Sequence, residues 1–313
     1  MDSFLNNRLE QLDPSKGPLY NRFVETYTAY YGIVFPGVVH YVGVIPTVNY
    51  TIATQLFLPS ASIGTVFIVH GYFDHSAMMR QCIRACIEMG FSVIAIDLPG
   101  HGLSSGERAS IGCFSEYAMV LDECIAYCKS FLPAPFHFVA HSTGCSAGLE
   151  WFHTPVLLNN SIIDKVIFLA PLVRSVGSTA ARLLFGLLKD RIKTINGFYK
   201  PTTSDPEFDL FRKNDPLRPK NFPLRWLNAA LEWNKKIQSQ GLLDRKITVL
   251  QGTLDNVVDW KYNTDFLKRK TRASEMYYVN GARHQLHNER EDLRGQVINL
   301  LKSKLKCSPD MDF

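Results

Sequence analysis

Residues 136–148 read Phe-His-Phe-Val-Ala-His-Ser-Thr-Gly-Cys-Ser-Ala-Gly, and no other stretch restricts the fold as sharply. Residues 136–140 are an apolar run of strand character, and the small residues from 143 to 151 suit a helix packed close to a sheet. Ser142 stands alone at the corner. A strand that turns sharply into a helix lifts the corner side chain above the sheet edge, beside the unpaired N–H groups of the first helical turn. An oxygen nucleophile needs that placement: exposed, constrained, and next to donors for a developing oxyanion. The crowded turn also demands small neighbours, which Ala140, Gly144, Cys145 and Gly148 supply. Ala140 replaces the first glycine of the usual Gly-x-Ser-x-Gly pattern; its methyl fits but leaves less room.

A letter-for-letter copy of that pattern occurs elsewhere, at Gly102-Leu103-Ser104-Ser105-Gly106. It follows the turn-rich stretch Asp97-Leu98-Pro99-Gly100-His101 and precedes Glu107-Arg108 rather than a helix of small residues. The pattern has meaning only between a strand and a helix, so Ser104 is predicted to be a loop residue.

Apolar, β-branched runs at 38–45, 51–58, 64–69, 91–96, 136–140, 166–170, 247–250 and 276–279 read as strands. Helical patterns occupy 78–89, 115–131, 143–152, 260–268 and 289–304. Two leading strands followed by strand–helix alternation predict an α/β fold: a mostly parallel eight-stranded sheet with an antiparallel edge and helices on both faces. The alternation breaks between Pro171 and about Gln240, where helical patterns at 181–188 and 224–237 flank a proline-rich tract. We therefore expect a core built from residues 1–170 and 241–313, with residues 171–240 inserted as a helical cap, or lid, over the active edge of the sheet.

The chain has 313 residues, 46% hydrophobic and 20% charged, enough for a sizeable core. A formal charge of +5 is spread over scattered lysines and arginines and reads as a solvated surface; no motif supports nucleic-acid binding. A basic contact with acidic lipid is the alternative reading of the clusters at 268–270 and 302–306. Seven cysteines lack metal-ligand spacing and read as buried, reduced thiols, which points to a cytoplasmic setting. No secretion signal or bilayer-spanning stretch is legible, and no metal or cofactor is expected.

A nucleophilic serine requires a base, and the base an orienting acid. Asp255 lies in the loop after the 247–250 strand, and His284 in the loop after the 276–279 strand. Serine, then aspartate, then histidine is the chain order expected for this architecture. Asp259 reads instead as the cap of the helix that begins at Trp260, and His287 falls towards the following helix. His141 abuts the nucleophile and is given a structural or pocket-lining role. Gly71, after the 64–69 strand, would let the backbone turn so that the Tyr72 N–H joins the Thr143 N–H in an oxyanion hole. Asp74, His75 and Ser76 read as caps for the next helix.

The runs His70-Gly71 to Asp74-His75-Ser76, Asp97-Leu98-Pro99-Gly100-His101-Gly102, Ala140-His141-Ser142-Thr143-Gly144, Gly252-Thr253-Leu254-Asp255 and Gly281-Ala282-Arg283-His284 together resemble the α/β-hydrolases. More narrowly they resemble the lysophospholipase and monoacylglycerol-lipase branch, over about residues 38–304. The resemblance implies cleavage of carboxylic esters of glycerolipids by Ser142, Asp255 and His284, with the oxyanion held by the N–H groups of Tyr72 and Thr143. It implies a lipid or ester substrate, no cofactor, and leaves a peripheral contact with the inner face of a membrane open. A small-peptide or amide hydrolase, with Asp205, Glu207 and Asp209 holding a free amine, is one alternative. An acyltransferase using the same residues and a non-catalytic binding protein are others. Gly144-Cys145 departs from the usual Gly-Gly of the branch.

Overall fold

A computed structural model describes residues 9–306, apart from 20, 178–185, 187–191 and 197–198. An eight-stranded sheet forms its centre. The strands β1 (Val38–Pro46), β2 (Thr51–Pro59), β3 (Thr65–Val69), β4 (Ser92–Ile96), β5 (Phe136–His141) and β6 (Ile163–Leu169) precede the insertion. Two short strands, β7 (Thr194–Asn196) and β8 (Asn221–Pro223), lie within it, and β9 (Thr248–Gly252) and β10 (Glu275–Val279) complete the sheet after it. The spatial order is β1-β2-β4-β3-β5-β6-β9-β10. β1 and β2 are antiparallel, β2 meets β4 antiparallel, and every later pairing in the sheet is parallel. The expected architecture is therefore the observed one.

Central strands buried on both faces are largely apolar, and all residues of β3, β4 and β5 are buried. On one face pack α3 (Phe114–Cys128) and α4 (Thr143–Phe152), which meet the sheet through Leu121, Ile125, Leu149 and Trp151. On the other lie α1 (Arg22–Tyr31) and α2 (Arg80–Glu88), with Tyr27, Tyr31, Ile83 and Cys86 facing inward. Each such large apolar side chain contributes about 1.5–3 kcal/mol on leaving water.

Between β6 and β9 the insertion supplies α5 (Pro206–Lys213) and α6 (Leu224–Ser239). Asp205 starts α5 by accepting from the N–H groups of Glu207 and Phe208, with Pro206 at the first helical position. The 224–237 pattern is thus found as α6, whereas the pattern at 181–188 falls outside the described residues except for Gly186. One element was not anticipated: β7 and β8 pair as an antiparallel ribbon, so the insertion is not purely helical. α7 (Trp260–Lys270) follows β9, and α8 (Glu291–Leu305) follows β10.

Two local expectations need correction. Asp74, His75 and Ser76 do not cap a helix beginning at Met78. A 3₁₀ turn spans Ser76–Met79 before α2, and its N-cap residue His75 makes no side-chain cap bond. The acceptor comes from further away: Asp97 Oδ1 takes the Ser76 N–H at 2.7 Å. Cys113 is exposed at the start of α3 rather than buried, while Cys82, Cys86, Cys124, Cys128 and Cys145 are buried. Among the described residues no helix is long and apolar enough to cross a membrane.

Candidate active site

Ser142 is the single residue between β5 and α4. Its backbone lies at φ 50°, ψ −112°, a strained conformation for a side-chain-bearing residue that aims the hydroxyl away from both elements. Close approach of other chain segments explains its glycine neighbours. A Cβ on Gly71 would lie 2.7 Å from His141 Nδ1 and 3.0 Å from Ser142 Cβ. Gly71 is required for that room rather than for a left-handed turn; positive φ falls two residues later, at Phe73.

The loops after β9 and β10 converge on Ser142. They can do so because a Cβ on Gly252 would meet the carbonyl oxygens of Ala282 and Arg283 at 2.4 and 2.5 Å, so only glycine lets the two loops touch. His284 Nε2 lies 2.9 Å from Ser142 Oγ, and His284 Nδ1 lies 2.7 Å from Asp255 Oδ2. The N–H groups of Val257 and Val258 donate to Asp255 Oδ1 at 2.9 and 3.1 Å, and Gln251 Nε2 donates to Oδ2 at 3.2 Å. Burial alone would raise the Asp255 carboxyl. The facing His284 and the two backbone donors outweigh it and hold the group below the usual carboxylate value. The three residues separated by 113 and 29 positions in the chain thus form one hydrogen-bonded line.

The other candidates separate cleanly. Ser104 is buried in a loop, where its hydroxyl donates to Asp97 O and accepts from the Ala53 N–H. Asp259 caps α7 by accepting from the Tyr262 N–H and pairs with Arg174. His287 sits in the 3₁₀ turn Leu286–Asn288, just before α8. His141 Nε2 donates to the His284 carbonyl at 3.1 Å, so it props the loop that carries the imidazole. Burial, with His284 and His287 nearby, keeps His141 far below the usual histidine value and hence neutral.

Ser142, Thr143, Tyr72 and His284 all line a cavity of about 520 Å³, within the range of small-molecule sites. One wall is apolar and comes largely from the insertion: Leu172, Val173, Phe222, Trp226, Leu227 and Leu231. Trp226 stacks on the Tyr72 ring at 3.8 Å, joining that wall to the loop after β3. Another part of the lining is charged. Arg212 Nε donates to Asp74 Oδ1 at 2.8 Å, and Gln285 Nε2 donates to Asp74 Oδ2 at 2.5 Å. Burial would raise the Asp74 carboxyl, but the charges of Arg212 and Arg218 hold it well below its ordinary value. This Asp74–Arg212–Gln285 cluster was missed in the sequence. Asp74 was visible in a motif, but its partner is 138 residues away in an irregular tract. Asp205, Glu207 and Asp209 do not line the cavity among the described residues. No group of three or more His, Cys, Asp or Glu side chains among them could hold a metal ion.

A mostly parallel sheet with a strained serine at the β5–α4 corner defines the α/β-hydrolase fold. Within it, the family model described as serine aminopeptidase, S33, matches residues 60–291, and the chain belongs to that family. The chain is similar to a monoglyceride lipase homolog of monkeypox virus, 24% identical over 76% of this chain and 87% of that protein. It is similar to a phospholipase of Bacillus subtilis, 22% identical over 74% of this chain and 92% of that protein. Among solved structures, a soluble variant of monoglyceride lipase from Saccharomyces cerevisiae, in complex with a substrate analog, superposes with a TM-score of 0.74 at 17% identity. That match covers 87% of this chain and 96% of the other.

Proposed function

We propose that the protein is a serine hydrolase that cleaves carboxylic esters of monoacyl lipids through an acyl-enzyme. The observation that carries this reading is the Ser142–His284–Asp255 line, at 2.9 and 2.7 Å, opening into a cavity with an apolar wall. Ser142 Oγ attacks the ester carbonyl carbon while His284 Nε2 takes its proton. Asp255 fixes the tautomer with Nδ1 protonated and stabilises the imidazolium as it forms. The oxyanion is received by the N–H groups of Tyr72 and Thr143. His284 then returns the proton to the leaving alcohol, the C–O bond breaks, and the acyl group remains on Ser142. Water, deprotonated by His284, attacks that ester and releases the fatty acid. An acceptor alcohol in place of water would make the same step an acyl transfer.

In this reading residues 171–240 act as the cap: their apolar side chains hold the acyl chain, and their polar end faces the head group. The aminopeptidase reading that the family's description invites is less well supported. Binding a free amine requires an unpaired carboxylate, and the one carboxylate that lines the cavity among the described residues, Asp74, is already paired with Arg212. We further infer a reducing, cytoplasmic setting from five buried thiols, with substrate drawn from the adjacent membrane face.

Labelling by a fluorophosphonate probe should be lost in Ser142→Ala; labelling that persists in this variant overturns the assignment. Turnover should rise from acetyl to dodecanoyl esters, and a preference for acetyl would contradict an acyl-binding wall. Faster cleavage of an amino-acid arylamide than of a long-chain ester would favour the peptidase.

A further inference from the structure

The charged part of the cavity lining does not balance. Among the described residues, its lining holds the cations Arg174, Lys200, Arg212 and Arg218 but the single acidic side chain Asp74. Arg174 is neutralised by Asp259 and stacked on Tyr262 at 3.7 Å, and Arg212 is neutralised by Asp74. Arg218 and Lys200 have no carboxylate within ion-pair distance among the described residues. Among the described residues Lys200 Nζ donates to the Asn256 carbonyl, at 2.9 Å. Arg218 is held between two rings, 5.2 Å from Phe73 and 5.2 Å from Tyr199, and its Nη1 is buried without a hydrogen-bond partner among the described residues. Burial and the charge of Arg212 both work against the Arg218 guanidinium. A buried donor left without an acceptor costs stability unless a ligand supplies one, and a planar guanidinium fits a phosphate by two parallel bonds.

This part also lies close to the reacting groups. Gln285 follows His284 directly in the chain and bonds Asp74, which bonds Arg212. An anion on the short glycerol backbone of an ester held at Ser142 would therefore lie within reach of these cations. We propose that Arg218 and Lys200, beside the Asp74–Arg212 pair, form the subsite for the phosphate of a monoacyl glycerophospholipid head group. The inference rests on the ester-hydrolase reading above and narrows it: phosphate-bearing monoacyl lipids are preferred to neutral monoacylglycerols.

The test compares kcat/KM for dodecanoyl lysophosphatidylglycerol and for monododecanoylglycerol, both below micelle formation, using purified full-length protein. The wild type should favour the phospholipid. Arg218→Gln should lower the ratio of the two constants about tenfold or more, as loss of a charge-assisted bond predicts, chiefly through KM, and Arg218→Lys should recover part of it. Equal losses on both substrates, or an unchanged ratio in a folded variant, overturn the proposal. If Arg218→Gln fails to fold, Lys200→Ala provides the same ratio from the cavity rim, and an unchanged ratio there is equally fatal. Inorganic phosphate added to the neutral-ester assay distinguishes the source of the anion. Arg218-dependent inhibition without a shift in the substrate ratio would mean a free-phosphate site and overturn the head-group assignment. Absence of any ester cleavage, by contrast, would strike the hydrolase reading itself.

Discussion

The sheet and the segment that covers it share an apolar core but differ in how much charge holds them. β3, β4 and β5 are buried over their whole length, and Leu121 of α3 and Trp151 of α4 pack in one cluster with Phe138 and Phe168 of the sheet. The insertion shares that core through Trp226, Trp233 and Ile237 of α6, and it is tied down further by polar and charged contacts. Arg212 meets Asp74, Tyr31 donates to Asp215 at 2.6 Å, His75 Nε2 sits 3.2 Å from Asp215, and Arg108 donates to the Leu217 carbonyl at 2.7 Å. Apolar burial is non-directional and tolerant of small movements, whereas a buried ion pair stabilises only in one geometry. The contrast teaches that the core fixes where the chemistry sits, while a few charge pairs fix what may reach it.

The largest expected effect lies at the meeting point of the two regions. Ser142→Ala should abolish ester turnover by about 10⁴-fold or more with unfolding unchanged, and Asp255→Asn should come near it because the imidazole loses its tautomer. Steady-state kinetics beside a denaturant melt reads both; retained turnover in either variant would detach the chemistry from this corner.

Stability effects of a few kcal/mol come next and divide the two regions. Phe138→Ala should cost about 3–5 kcal/mol through the cavity it leaves. Asp74→Leu should cost about as much, ~3–5 kcal/mol, because Arg212 is left buried and uncompensated, yet Asp74→Leu/Arg212→Met should recover most of that loss. Chemical denaturation reads all three, and a double variant no better than the single would mean that the insertion is not held by the pair.

A smaller, pH-dependent effect is expected at His75. Burial lowers its affinity for a proton, but Asp215 more than offsets this, so the histidine is raised above 6.5 and Asp215 is lowered below 3.8. The histidine contribution is complete below its ordinary value and fades as pH rises through the raised one. The carboxylate contribution is present above its ordinary value and fades as pH falls through the lowered one. His75→Gln should therefore lose ~1–2 kcal/mol near pH 6 and distinctly less near pH 9; a deficit that grows with pH would reverse the sign. At the bottom of the scale, Lys235→Ala removes an exposed pair with Glu232 on α6 and should change stability by less than about 0.5 kcal/mol.

Legibility followed the same division. Ser142, Asp255 and His284 each follow a strand that announces itself by an apolar run, so their meeting at one sheet edge could be read from order alone. His75 was misread because the acceptor that a helix start requires came from Asp97, after β4, and not from the neighbouring side chains. β7 and β8 are three residues each, too short to show alternation. Arg212, Asp215 and Arg218 lie in a tract with Pro206, Pro216 and Pro219, where no periodicity reveals which side chains turn inward. Ion pairs between such distant residues leave no local pattern.

The hydroxyl of Tyr31 has a consequence of its own. It places α1, an element that precedes the whole sheet, on the carboxylate that also receives His75, so α1 works as a latch on the turn after α5, which carries the cavity-lining Arg218. Tyr31→Phe would release that latch while leaving the chemistry untouched, and faster amide hydrogen exchange across α5 and the turn that follows it would be its signature.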